Sequence, residues 1–423
     1  MPRWLYFLLI FSVLAVLLNF LRIPPLVLFA VAGLGIVPLA ALIGVAVEGV
    51  AEHTGERIGG LLFATFGNAT ELIIGILALS KGLVDVVSAS IIGSILGNLL
   101  LVLGIAVCIG GFKHGRLHFE QRPAGQYASL LALSIGGLLL PTVAELLASR
   151  TKQPMIVEHA ALLSDFIAVF LLLGYIASIL FSVFRFRDKS DPEEDELDPV
   201  LGARSEAAIT RLLAYRSHVA TSNVAGKSGV LRQIDGTLKA IAEHETNGTT
   251  REASPNSVEK ATQEHAKPPL WRSLGLLVIA TIGVAILSEI LVGAIEPMTE
   301  ALHWNPAFVG LIFVPLIGGL PEYFNTISMA LDKRVGMVLA ASAGSSIQIA
   351  LLMAPILVLV SLAMPARLDL VFNLLELAVL GLATFLFSEI TQDGELVWLE
   401  GLLLVLLYIM MGGTVFLFGS TRI

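Results

Sequence analysis

The chain carries long apolar stretches without a single charge; Leu26–Val47, Val86–Phe112 and Met337–Ala366 are the clearest. Roughly 20 consecutive apolar residues span the hydrocarbon core of a bilayer. A backbone crossing lipid must satisfy its own hydrogen bonds, so these runs read as helices rather than open strands. Charged residues make up only 14% of the chain, against about 25% in soluble domains. The expected fold class is an all-α polytopic membrane protein.

Apolar runs predict about eleven transmembrane helices, near 4–21, 26–47, 58–79, 86–111, 126–147, 160–184, 271–295, 306–330, 335–361, 369–389 and 396–418. The first run has no small-residue cleavage site after it, so it reads as a retained helix rather than a signal peptide. Arg185–Pro269 breaks the pattern. It is polar, opens on the acidic run Asp191–Asp198, and reads as a partly helical or disordered linker. With the first helix (1–25) set aside, five helices remain on each side of the linker, in 26–184 and 270–423. An odd number per half inverts the second half relative to the first, the plan of two inverted five-helix repeats. Lys and Arg near the helix ends place the N-terminus and the linker in the cytoplasm.

Several function classes lose support at this stage. The formal net charge of −8 does not suit nucleic-acid binding, which favours basic patches. The single cysteine, Cys108, sits in an apolar run and reads as a small buried hydrophobe. No His-Glu-x-x-His zinc motif occurs, and most of the eight histidines fall in loops, which argues against an intramembrane enzyme. No cofactor is expected.

The two halves repeat the same chemistry. The third helix reads Gly60-Leu-Leu-Phe63, then Gly67, Asn68, Thr70 and Glu71; the eighth reads Gly310-Leu-Ile-Phe313, then Gly318, Gly319, Pro321, Glu322 and Asn325. Each glutamate has a glycine four residues before it. Gly93-Ser94 follows Glu71 at the same distance as Gly344-Ser345 follows Glu322, and an amide comes next, Asn98 or Gln348, with an offset of one residue. A carboxylate inside a spanning helix costs about 2.5–3.5 kcal/mol on insertion scales, so it is a functional candidate by default. A structural, hydrogen-bonded glutamate is the competing reading, and a matched pair weakens it. The glycines and Pro321 interrupt helix hydrogen bonding and free carbonyl oxygens, although close helix packing explains glycines as well.

These residues suit a hard cation. Glu71 and Glu322 supply charged oxygens, and Asn68, Thr70, Ser94, Asn325 and Ser345 supply neutral ones. Ca²⁺ accepts six to eight oxygens in tolerant geometry, and two carboxylates neutralise one divalent ion. When the ion leaves, two negative charges are stranded in a low-dielectric site, so protons take its place. Exchange follows if the empty charged site cannot switch sides.

At these positions the sequence resembles the Ca²⁺/H⁺ antiporter family, within the cation/Ca²⁺ exchanger superfamily. The resemblance spans both membrane halves, roughly 39–184 and 274–417. It rests on Gly55–Glu71, Gly93–Gly104, Phe308–Gly318, Gly344–Leu351 and Trp398–Gly401. It implies that Glu71 and Glu322 bind cation and protons in turn. Helper roles go to Asn68, Ser94, Asn98, Asn325, Ser345 and Gln348. It also implies that helices two and seven slide to switch access, with Glu48 and Glu289 as acidic entrance or relay positions. Two departures stand out. The linker is long, and Gly319 replaces the asparagine of the first half, for which Asn325, one turn beyond Glu322, is a candidate substitute.

The expected function is antiport of Ca²⁺ against H⁺ by alternating access, with the lipid bilayer as surroundings and other divalent ions as further candidates. Na⁺-driven exchange and a cation channel are the alternatives. A prokaryotic plasma membrane is the first choice of location and a vacuolar membrane the second. The oligomeric state, homo-oligomer included, stays open.

Overall fold

The computed structural model describes residues 3–21, 23–54, 62, 65–151, 160–184 and 269–418. The polar segment 185–268, with its acidic run, lies outside them. So do Arg22, Lys152, Arg422 and most of the first half's 55–64 motif.

The described chain is helical almost throughout. After a short helical turn at Arg3–Phe7, the helices are α1 (Leu9–Asn19), α2 (Pro25–Thr54), α3 (Ala69–Ser80), α4 (Val84–His114), α5 (Gln121–Thr151), α6 (Ala160–Phe184), α7 (Leu270–Leu302), α8 (Pro306–Leu331), α9 (Val335–Ser361), α10 (Leu374–Ile390) and α11 (Trp398–Phe418). Eight of them are long and apolar enough to cross a membrane: α2, α4, α5, α6, α7, α8, α9 and α11. The apolar helices around α1 and α3 and the 17-residue α10 are shorter.

Local sequence explains the ends. Pro306 stands at the start of α8, where its missing N–H costs nothing, and the Asn305 side chain accepts a hydrogen bond from the Ala307 amide. Asn373 and Glu376 cap α10 reciprocally. Lys81, Asp332 and Gly115 follow the ends of α3, α8 and α4; Gly115 has a φ of 80°, which favours glycine.

α4 is the most enclosed helix. In its most apolar 18-residue window 83% of residues are buried, against 28% in α6, which turns residues such as Leu162, Phe166 and Phe170 outward. Small residues let α4 sit centrally. A Cβ on Gly93 would collide with the Leu311 carbonyl of α8, and one on Gly310 with the Val86 carbonyl of α4. On its far side Gly104 meets Gly401 of α11, where an added Cβ would lie 2.8 Å from the Gly401 carbonyl oxygen. This is the close-approach use of glycine in membrane helices.

α2 and α7 form an antiparallel pair. Gly33 lies against Leu291, Gly35 against Leu287, and Leu39 against Gly283. Ile43, Ala46, Val47, Leu277, Ala280 and Val284 make a small core of their own.

Contacts between loops respect an alternating chain path. His114 and Lys113, ending α4, bond the Leu331 carbonyl at the end of α8. β1 (Leu117–His118) pairs antiparallel with β2 (Glu395–Leu396), and Arg116 pairs with Glu395 at 2.7 Å. Past α9, Arg367 pairs with Asp165 of α6 at 2.7 Å and also donates to the Ala161 carbonyl.

Candidate functional site

α3, α4, α8 and α9 supply the site. Each of α4 and α9 contains a π-helical segment beside it, Gly97–Val102 and Ile349–Met353, and α8 contains one at Val309–Phe313. A π-bulge shifts the hydrogen-bond register and re-aims side chains, a frequent feature of functional helices.

Asn68 directly precedes α3 and is 7% exposed. Its amide nitrogen donates to Gln348 Oε1 at 3.1 Å, and its Oδ1 accepts from Ser345 Oγ at 3.1 Å. Asn98 Nδ2 donates to Ser345 Oγ at 3.0 Å. Glu322 Oε1 lies 3.2 Å from Ser345 Oγ, a second acceptor for the same hydroxyl proton. Ser345 is therefore a hub joining two residues of the first half to the glutamate of the second.

Glu71, in the first turn of α3, is 5% exposed and leans across to α8. A Cβ on Gly318 would lie 2.9 Å from the Glu71 carboxyl carbon, and one on Gly319 would lie 3.9 Å from Glu71 Oε1. Glu322 stands one turn after Gly318 on α8, on the same face. Among the described residues neither carboxylate pairs with Lys or Arg. Glu71 Oε2 and Ser94 Oγ are buried without a hydrogen-bond partner there. Buried polar atoms are nearly always satisfied, so unpaired oxygens beside two carboxylates suit a ligand that accepts oxygen donors.

The sequence-predicted residues divide into three groups. Glu71, Glu322, Asn68, Ser94, Asn98, Ser345 and Gln348 converge here. Thr70 is buried beside them and takes no part in the hydrogen-bonded set. Asn325 does not converge: it is exposed. Thr326, four residues past Glu322, takes the inward place instead, 1% exposed and donating to the Glu322 carbonyl at 2.6 Å. The helical twist of 100° per residue brings i+4 back over i more closely than i+3, so Asn325 does not substitute for an asparagine at position 319. Glu48, near the end of α2, and Glu289, within α7, are exposed. Lys81 Nζ reaches the Glu289 carbonyl at 3.3 Å.

Gly318 was visible in the sequence as a helix-weakening or helix-packing glycine; its service as the seat of Glu71 is a contact between α3 and α8. Among the described residues no group of three or more His, Cys, Asp or Glu side chains could hold a metal. An ion held here would take two carboxylates and neutral oxygens, the donor set of a hard cation.

Two glutamates inside a helical membrane bundle, Glu71 buried and Glu322 partly buried, define the class: an integral membrane transporter of cations. The chain belongs to the sodium/calcium exchanger protein family, whose pattern matches residues 24–184 and 272–417. It is similar to a Ca²⁺/H⁺ antiporter of Synechocystis, with 34% identity over 90% of this chain and 88% of the relative. It is also similar to the Ca²⁺/H⁺ antiporter ChaA of Bacillus subtilis, with 31% identity over 94% of each. Among solved structures, native YfkE superposes with a TM-score of 0.70 at 28% identity, covering 98% of this chain and 99% of that one.

Proposed function

We propose that the protein is a secondary active antiporter that exchanges Ca²⁺ for H⁺ by alternating access, with Glu71 and Glu322 holding the cation and the protons in turn. The observation that carries this reading is the pair of intramembrane glutamates, Glu71 buried and Glu322 partly buried, with no basic partner among the described residues. A permanently ionised pair would be costly in a low-dielectric interior, and a Lys or Arg would fix it. Without one, the pair is neutral only with a divalent ion or with protons. Both relatives named above are Ca²⁺/H⁺ antiporters, which favours Ca²⁺ and H⁺ as the two occupants.

Asn68, Ser94, Asn98, Ser345 and Gln348 supply or position neutral oxygens, with Thr70 beside them. Glu48 and Glu289, exposed on α2 and α7, serve as collection points at the two ends of the path. The antiparallel α2–α7 pair, the matched Gly-Ser steps and the loop contacts support eleven spans: a first helix followed by two inverted five-helix repeats. The N-terminus and linker then lie in the cytoplasm, and a prokaryotic plasma membrane is the favoured location. Other divalent ions compete for the same oxygens. The protein is a carrier that needs no cofactor and performs no covalent chemistry.

The full chain in proteoliposomes tests this. Ca²⁺ uptake is expected to follow an imposed pH gradient, to saturate, and to be indifferent to a Na⁺ gradient. Uptake that follows Na⁺ and ignores pH would replace H⁺ with Na⁺ as the counter-ion. Non-saturating flux that needs no counter-ion would identify a channel.

A further inference from the structure

The two half-sites are related residue by residue: Glu71 to Glu322, Ser94 to Ser345, and Asn68 to Gly319. In one of the two cross-contacts, Asn68 Oδ1 accepts the hydroxyl of Ser345. The symmetric contact would join residue 319 to Ser94. Position 319 is a glycine with no side chain to offer, and among the described residues Ser94 Oγ has no partner, in a residue only 5% exposed. Glu71 Oε2, on the same side, is also unpartnered, whereas Glu322 Oε1 lies within reach of Ser345. A single replacement thus accounts for where the hydrogen-bonded part of the cluster stops.

We infer that Gly319 is a specificity-determining position: it keeps the Ser94 and Glu71 oxygens free for the transported cation and widens that side of the site, so that divalent ions larger than Ca²⁺ are accepted. This rests on the antiport reading of the same site. The physics is that of ligand rigidity. Oxygens already tied to one another present a fixed cage, which selects by size, while untied oxygens adjust to the ion. The Asn68–Ser345–Asn98 side is tied. The Gly319 side has room as well: the nearest atoms to a Cβ built there are a ring carbon of Tyr323 at 3.6 Å and Glu71 Oε1 at 3.9 Å, both ordinary contacts. Position 318, one residue earlier, has no such room. An asparagine at 319 would occupy the space and give Ser94 its partner, completing a second rigid side.

The test measures Sr²⁺ and Ca²⁺ uptake separately in proteoliposomes of the full chain, under whichever gradient drives the wild type. The wild type is expected to carry Sr²⁺ at a rate close to Ca²⁺. Gly319→Asn should lower the Sr²⁺/Ca²⁺ ratio about tenfold, the lower end of what altered neighbours cost a metal site. Gly319→Ala and Gly319→Ser should lower it by less, and they carry the test if the asparagine variant fails to fold. Ser94→Ala should weaken Ca²⁺ binding in the wild type but not in Gly319→Asn, where the hydroxyl is already engaged. An unchanged or raised ratio in the folded variants would overturn the inference, as would an equal effect of Ser94→Ala in both backgrounds. Failure of the antiport reading shows separately, as wild-type uptake that ignores the pH gradient, and leaves the ratio readable.

Discussion

The Glu322 half-site and the Glu71 half-site start from the same sequence plan and end in different states. Around Glu322, Ser345 links Asn68, Asn98 and the carboxylate into one set of hydrogen bonds. Around Glu71, Ser94 Oγ and Glu71 Oε2 are buried without partners among the described residues, and the carboxylate rests on bare glycine. One half-site is braced by the protein itself. The other leaves its oxygens to whatever the site binds. On the proposed reading the two halves supply two carboxylates for one ion, and Glu322 is the one that the protein's own hydrogen bonds pre-position.

The largest effect tests what the halves share. Glu71→Gln and Glu322→Gln should each abolish exchange while the protein still inserts and folds, because either change leaves one charge for a divalent ion. Retained proton-coupled Ca²⁺ uptake in either variant would sink the two-carboxylate mechanism.

Gly318→Ala is next, and it addresses only the Glu71 side. The new methyl would lie 2.9 Å from the Glu71 carboxyl carbon, so the carboxylate must move. Ca²⁺ affinity should drop roughly 10–100-fold, as when groups that orient metal ligands are changed. Gly319→Ala, with more room, should keep Ca²⁺ exchange. Equal damage from both would show that the glycines serve packing alone.

The serines separate bracing from binding. Ser345→Ala leaves buried amide groups of Asn68 and Asn98 short of a partner, a cost of about 1–3 kcal/mol, visible as a lower melting temperature in detergent. Ser94→Ala removes a hydroxyl that has no partner, so stability should hold while Ca²⁺ affinity falls. The reverse pattern would exchange the roles assigned to the two half-sites.

The smallest effect lies outside the site. Arg367 binds Asp165 and Asp369 at a surface where water screens the pairs, its side chain 36% exposed. Arg367→Ala should cost about 1 kcal/mol or less and leave exchange intact. A large loss of transport would tie this loop to the access change.

The sequence by itself determined the membrane setting and the helical fold, and it singled out the two glutamates. These rest on local rules: a charge-free run of sufficient length must be a helix in lipid, and a carboxylate within one is costly enough to stand out. The matched spacing of the two halves is readable along the chain as well. Tertiary structure decided which polar residues meet. Asn325, one turn beyond Glu322, was a candidate substitute for an asparagine at 319 yet is exposed, while Thr326 is buried. Glu48 and Glu289 proved to be exposed rather than part of the cluster. The bonds from Asn68 to Gln348 and to Ser345, and the seat that Gly318 gives Glu71, cross from one half to the other. Residues some 280 positions apart have no local rule linking them. Only the packing of α3 and α4 against α8 and α9 brings them within hydrogen-bond distance, and only there does an absent side chain at position 319 become a gap beside Glu71.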